Sequence, residues 1–208
     1  MAHLDSGMTG SLAKAGWIEA GATRAGAALR PVSLAIAGSL FVAICAHISV
    51  PLLFSPVPLT LQPFAVLLLG LLLGPGTAFA ALALYLAEGA AGFPVFTPNG
   101  IGGILQLLGP TGGYLLSYPF VAAMVSWLKR QAEPKFSTRA YSAAAGSILI
   151  LLCGATWLTL LTHAQPKTIL NTAVLPFVPG DTLKVVAAAA LATAWFRIRG
   201  RQPQGDAD

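Results

Sequence analysis

Residues 59–92 read LTLQPFAVLLLGLLLGPGTAFAALALYLAEGAAG, two apolar runs joined at Gly74-Pro75-Gly76 and carrying one formal charge, Glu88. The poverty of charge extends both ways. From Pro31 to Leu128 there are 98 residues, and Glu88 is their only Asp, Glu, Lys or Arg. About a quarter of a typical soluble domain is charged, against 9% of these 208 residues. With a mean hydropathy of +0.75, only a bilayer is a comfortable solvent for this chain. The expected fold class is an all-α membrane protein.

Pattern and punctuation divide the chain into six expected transmembrane helices: 31–50, 59–73, 77–92, 111–128, 140–161 and 181–196. A full crossing takes about 20 residues, so the second and third are short. The first 30 residues form an expected N-terminal tail, 31–196 the transmembrane domain and 197–208 a C-terminal tail. No A-x-A cleavage site closes the first apolar stretch, which reads as a retained span rather than a signal peptide.

Ten of the twelve basic residues fall in three clusters: Lys14, Arg24 and Arg30; Lys129, Arg130, Lys135 and Arg139; Arg197, Arg199 and Arg201. With six spans, all three clusters lie on one side, and the opposite loops hold only Lys167. The positive-inside rule then places both N- and C-termini in the cytoplasm. The net charge of +5 does not indicate nucleic acid, because the clusters flank apolar blocks without interleaved aromatics. Cys45 and Cys153 sit in apolar segments and read as buried thiols, with no metal site expected.

The same topology gathers the rare polar residues on the outer side, among Pro- and Gly-rich breaks. Broken backbone at membrane depth is tolerated only where protein or a cavity covers it, so an outward-facing site is expected there. Asp181 and Lys184, spaced i, i+3, share a helix face and can reach a common ligand. Alternatively, Asp181 caps a helix after Pro179-Gly180 and Lys184 snorkels outward. Asn99 offers two donors and an acceptor or serves a turn, and Gln62 is similarly open. Tyr85 and Tyr114 line a pocket or belong to an interfacial belt. Glu88 is either solvated or ligand-facing. Ala35, Ser39 and Ala43 form a strip of small residues on one face of the first span, suited to close helix approach within the chain or with a partner.

No His-x-x-x-His, His-Glu pair, nucleophilic triad or G-x-x-x-x-G-K-[ST] loop occurs in the sequence, so an enzyme is not expected. Any energy source for transport must come from another chain. The competing expectation is a small intramembrane enzyme such as a lipid-modifying transferase.

Five runs in series carry a resemblance: Phe54-Ser-Pro-Val-Pro-Leu-Thr-Leu-Gln62, Gly70-Leu-Leu-Leu-Gly-Pro75, Gly92-Phe-Pro-Val-Phe96, Leu108-Gly-Pro-Thr-Gly-Gly-Tyr114 and Leu175-Pro-Phe-Val-Pro-Gly-Asp-Thr-Leu-Lys184. Over residues 31–196 the chain resembles the BioY family, biotin-specific S components of energy-coupling factor (ECF) transporters. The resemblance implies biotin uptake across the bacterial cytoplasmic membrane, with biotin bound from outside as the transported ligand and no cofactor. It implies two kinds of partner beyond the lipid bilayer, a transmembrane coupling protein and its ATPase pair. In family terms Asp181, Lys184 and Asn99 match binding positions, and Ala35, Ser39 and Ala43 match the strip that meets the coupling protein, with Ser39 departing from the commoner Ala.

Overall fold

The structure is a computed structural model that describes residues 29–200, apart from Phe54 and Asn99. The expected site residue Asn99 and most of both tails therefore lie outside the described residues. The chain divides into a unit ending at Leu34 and a unit from Ala35 onward. Helix α1 runs Leu29–His47. In the second unit there follow a two-residue hairpin, β1 (Ser49–Val50) and β2 (Leu59–Thr60), then α2 (Gln62–Leu72), α3 (Pro75–Ala90), α4 (Gly103–Leu108), α5 (Gly112–Leu128), α6 (Phe136–Thr162), α7 (Pro166–Ile169), a π-helical turn (Leu170–Val174) and α8 (Val178–Gly200).

Six of these helices coincide in position with the six expected spans. Among the described residues α1 and α6 are long and apolar enough to cross a bilayer alone. Residues 166–174 and α8, bent by 47°, make a third such unit if taken together. One expectation is corrected at α1, which stops at His47 instead of running to Val50. Pro51 cannot continue a helix, and the chain turns extended so that Ser49 pairs with Thr60 and Val50 with Leu59. The second span likewise begins as a strand at Leu59 and becomes helical only at Gln62, with Pro63 in its first turn. Neither α4 nor the π turn is anticipated by the sequence pattern.

Helix α2 lies at the centre, packed against α3, α5, α6 and α8. Its 11 residues span about 16 Å, half of a hydrocarbon core of about 30 Å. Ala65 to Leu71 are all buried, which is why the helix is apolar all round rather than on one stripe. Its C-terminal carbonyls are met by donors from α5. Ser126 Oγ donates to the Leu73 carbonyl at 2.7 Å, and Lys129 Nζ donates to the same carbonyl at 2.9 Å and to that of Leu71. Burial, with Arg130 and Arg139 nearby, pushes the Lys129 ammonium down to about 8.

Close helix contact is made by glycines. A Cβ on Gly113 would stand 2.2 Å from Trp157 Cβ and 2.6 Å from the Cys153 carbonyl, and one on Gly154 would stand 2.2 Å from the Tyr114 ring. Gly113 lets α5 approach the α6 backbone at Cys153, and Gly154 makes room on α6 for the Tyr114 ring. The Ala35, Ser39 and Ala43 strip is buried by the chain itself, while Ile36, Leu40 and Ile44 are exposed on the other face of α1. Ser39 Oγ donates to Glu88 Oε2 on α3.

Gly113→Ala is expected to destabilise the detergent-solubilised protein by about 1–3 kcal/mol, whereas Gly76→Ala, with open space around it, is expected to be neutral or slightly stabilising; thermal unfolding of both variants checks the contrast. For Lys129, a folded-state value below the ordinary lysine range means that the folded form binds fewer protons than the unfolded form above pH 8. Stability due to this group therefore rises from about pH 8 toward the ordinary range. The difference in unfolding midpoint between wild type and Lys129→Met should increase over that window; a pH-independent difference would contradict it.

Candidate functional site

The starts of α2, α5 and α8, the middle of α6, the short α4 and the loops between them surround a cavity, part of it open to solvent. Its wall is mostly apolar, with Val57, Phe96, Leu115, Ile150 and Phe177 among the lining residues. Polar atoms enter at a few points.

The sharpest is on α8. Pro179 and Gly180 fall inside the first turn, since the helix already begins at Val178. Asp181 is consequently a helical residue rather than a cap: its N–H donates to the Phe177 carbonyl at 2.8 Å. One turn on, Lys184 Nζ donates to Asp181 Oδ1 at 2.8 Å. The two residues are only 5% and 9% exposed, which rules out snorkelling for Lys184 in this arrangement. Asp181 also lies in the first turn, where the helix dipole favours an anion.

Gln62, the first residue of α2, is locked on both sides of its amide. Thr60 Oγ1 donates to its Oε1 at 3.0 Å, and its Nε2 donates to the Tyr85 hydroxyl at 2.5 Å. Tyr85 is not part of the cavity wall. It stands behind Gln62 on α3 and meets Phe96 edge-on at 5.4 Å. Tyr114 lines the cavity and donates its hydroxyl to the Ala173 carbonyl at 2.8 Å, a carbonyl presented by the π turn. Gln62, Tyr114, Asp181 and Lys184 thus share one cavity. Glu88 does not line it.

Several lining residues escaped sequence reasoning. Gln106 Nε2 donates to Thr111 Oγ1 at 2.8 Å, and Gln106 Oε1 accepts from the Gly102 N–H at 3.3 Å. A lone Gln in the apolar run Ile104-Leu-Gln-Leu-Leu108 was the available sign. Tyr118, one helical turn beyond Tyr114, also faces the cavity. Thr97 is the most informative: its Oγ1 is buried without a hydrogen-bond partner among the described residues, at the cavity wall. A buried hydroxyl left unpaired costs about 1–3 kcal/mol, and a polar ligand in the cavity would supply the missing bond.

The sequence model of the BioY family matches residues 18–201. The chain belongs to the BioY family. Among its relatives, "Probable biotin transporter BioY" of Pyrococcus horikoshii is 40% identical over 157 residues, covering 74% of this chain and 90% of that protein. "Biotin transporter BioY2" of Lactococcus lactis is 32% identical over 81% of this chain and 91% of its own length. The fold is similar to a crystal structure described as the S-component for biotin from an ECF-type ABC transporter, with a TM-score of 0.76 and 26% identity, covering 83% of this chain and 93% of that one. In this family member, then, the ionisable pair and the polar residues around it are the groups to weigh as a ligand site.

The pair makes a measurable prediction of its own. Lys184→Met strands a buried carboxylate and should cost about 3–5 kcal/mol, while Lys184→Met with Asp181→Asn should recover most of that loss. Unfolding of the single and double variants in detergent checks it; losses that simply add would contradict a coupled pair.

Proposed function

We propose that this chain is the biotin-binding S component of an ECF-type transporter in the bacterial cytoplasmic membrane. It spans the bilayer six times with both termini in the cytoplasm. The ten-to-one excess of clustered basic residues over Lys167 supports that orientation. The cavity then opens outward, and the elements that shape it are the loops and helix ends opposite the basic clusters. A transmembrane coupling protein and its ATPase pair supply the work of inward release. The Ala35, Ser39 and Ala43 strip is covered in the arrangement described, so contact with the coupling protein through it requires α1 to separate from its neighbours.

The observation that carries this function is the buried Asp181–Lys184 pair, set in an apolar cavity of a BioY-family fold. Biotin offers two ureido N–H donors and a carbonyl, an apolar fused ring and a carboxylate on a flexible chain. Asp181 accepts from a ureido N–H, while Lys184 donates to the ureido carbonyl or pairs with the carboxylate. Asn99 adds a complementary donor and acceptor from the loop after Phe96. Tyr114, with Gln62 held by Tyr85, closes the cavity on the apolar body. Thr97 provides one further hydrogen bond.

Calorimetric titration of the purified protein with biotin tests the proposal, and absence of stoichiometric binding would overturn it. Asp181→Asn should weaken binding at least tenfold, or about 1.4 kcal/mol. Thr97→Val should weaken it by a smaller factor without lowering the unfolding midpoint, because it removes an unpaired hydroxyl. On the folded fraction of Lys184→Met, a selective loss for free biotin over its methyl ester assigns Lys184 to the carboxylate; an equal loss assigns it to the ureido end.

A further inference from the structure

At the end of the bundle away from the cavity, the start of α6 lies beside the last turns of α8, and a second kind of recess opens between them. Arg139, in the first turn of α6, is only 7% exposed. One of its guanidinium nitrogens donates to the Pro134 carbonyl at 3.0 Å and to Thr193 Oγ1 at 3.3 Å, and its plane lies 5.1 Å from the Phe196 ring. Every one of these partners is neutral. Arg197, four residues beyond Thr193, and Lys135, at the N-cap of α6, line the same recess.

Structural roles account for the neighbours but not for Arg139. Arg197 sits in the last turn of α8, where a cation complements the helix dipole. Lys135 pairs with Glu133 at 2.7 Å, and both side chains are largely exposed. Arg139 has the opposite circumstances. It is a cation in the first turn of a helix, against the dipole, desolvated, and in a recess it shares with another arginine. The described acids are Glu88, Glu133 and Asp181, occupied respectively by Ser39, Lys135 and Lys184. None of them offers Arg139 an anion. Helix α6 also begins without a side-chain cap, leaving the N–H groups of its first turn as further donors at this end.

The recess continues into an apolar groove. The two share Phe136, Thr193 and Arg197, and the groove adds Ala190, Ala194 and Ile198 along α8. A basic pocket that adjoins an apolar strip, at the end of helices belonging to a membrane-protein family, matches a phosphate on a lipid tail better than it matches a free anion. We propose that Arg139, Arg197 and the uncapped start of α6 bind the phosphate of an anionic phospholipid, with an acyl chain along Ala190, Ala194 and Ile198. This site is independent of the vitamin cavity, and its loss leaves biotin binding unchanged.

Native mass spectrometry of the full chain, titrated with phosphatidylglycerol or with phosphatidylcholine of the same acyl chains, tests it. Wild type is expected to retain phosphatidylglycerol preferentially, and Arg197→Gln to lose about fivefold of that preference with unaltered biotin affinity. Arg139→Gln should abolish the preference and Arg139→Lys should keep part of it. Because burial of Arg139 makes that variant prone to misfolding, the exposed Arg197 carries the decision. Equal retention of the two lipids by wild type, or an unchanged preference in Arg197→Gln, would overturn the proposal. So would displacement of phosphatidylglycerol by millimolar inorganic phosphate, which would mark a site for free phosphate. A preference that appears only after deletion of residues 201–208 would equally sink it, assigning the recess to the chain's own acidic C-terminus.

Discussion

Lys184 and Asp181 stand 2.8 Å apart in surroundings that neither charge could occupy alone. An isolated ion moved into a low-dielectric interior pays several kcal/mol even after relaxation. The pair is tolerated because each member neutralises the other from one helical turn away. It is nonetheless a poor device for stability, since an apolar pair of similar volume often does as well or better. Its place in the wall of a cavity accords instead with the ligand role proposed for it. In a dry apolar shell, hydrogen bonds to charged groups gain strength, and the carboxylate and ammonium present an acceptor and a donor side by side.

The rest of the molecule keeps that pair buried at the wall of the cavity. Three departures from regular helix gather at the cavity: the β1–β2 hairpin with its Pro-rich loop, the turn from Gly92 to Gly102, and the π turn before α8. Each frees backbone groups that would be costly in lipid. Each also finds internal partners, as when Ala173 accepts from Tyr114 and the Gly102 N–H donates to Gln106. At the far end side chains such as Ser126 and Lys129 satisfy the last carbonyls of α2. The longer irregular segments therefore gather at the end of the bundle that holds the cavity.

Much of this was legible in the sequence, and the exceptions have physical causes. Apolar runs, Gly-Pro breaks and basic clusters located the helices to within a few residues, because insertion into a bilayer depends on those same properties. The i, i+3 spacing put Asp181 and Lys184 on one face, as found. Spacing alone could not decide whether Asp181 caps α8; the helix starts earlier because Pro179 fits its first turn. Nor could it separate Tyr85 from Tyr114, one behind the wall and one in it, since both sit in apolar helices. Thr97 and Gln106 were missed because a single neutral polar residue has no periodic signature. Its significance lies in which partners the tertiary fold grants or withholds.

The strip on α1 shows how a small local change redirects a familiar pattern. Small residues at 35, 39 and 43 suit close helix packing, and Gly38 brings α1 so near α3 that an added Cβ would stand 2.9 Å from Ala81. The serine in the middle of the strip is not a neutral substitute for alanine here. It donates to Glu88, the sole formal charge between Pro31 and Leu128, and so ties α1 to α3. Hydrogen bonds to charged groups contribute about 1.5–3 kcal/mol. A bond of that size holds α1 against α3 more firmly than a strip of small apolar residues would alone.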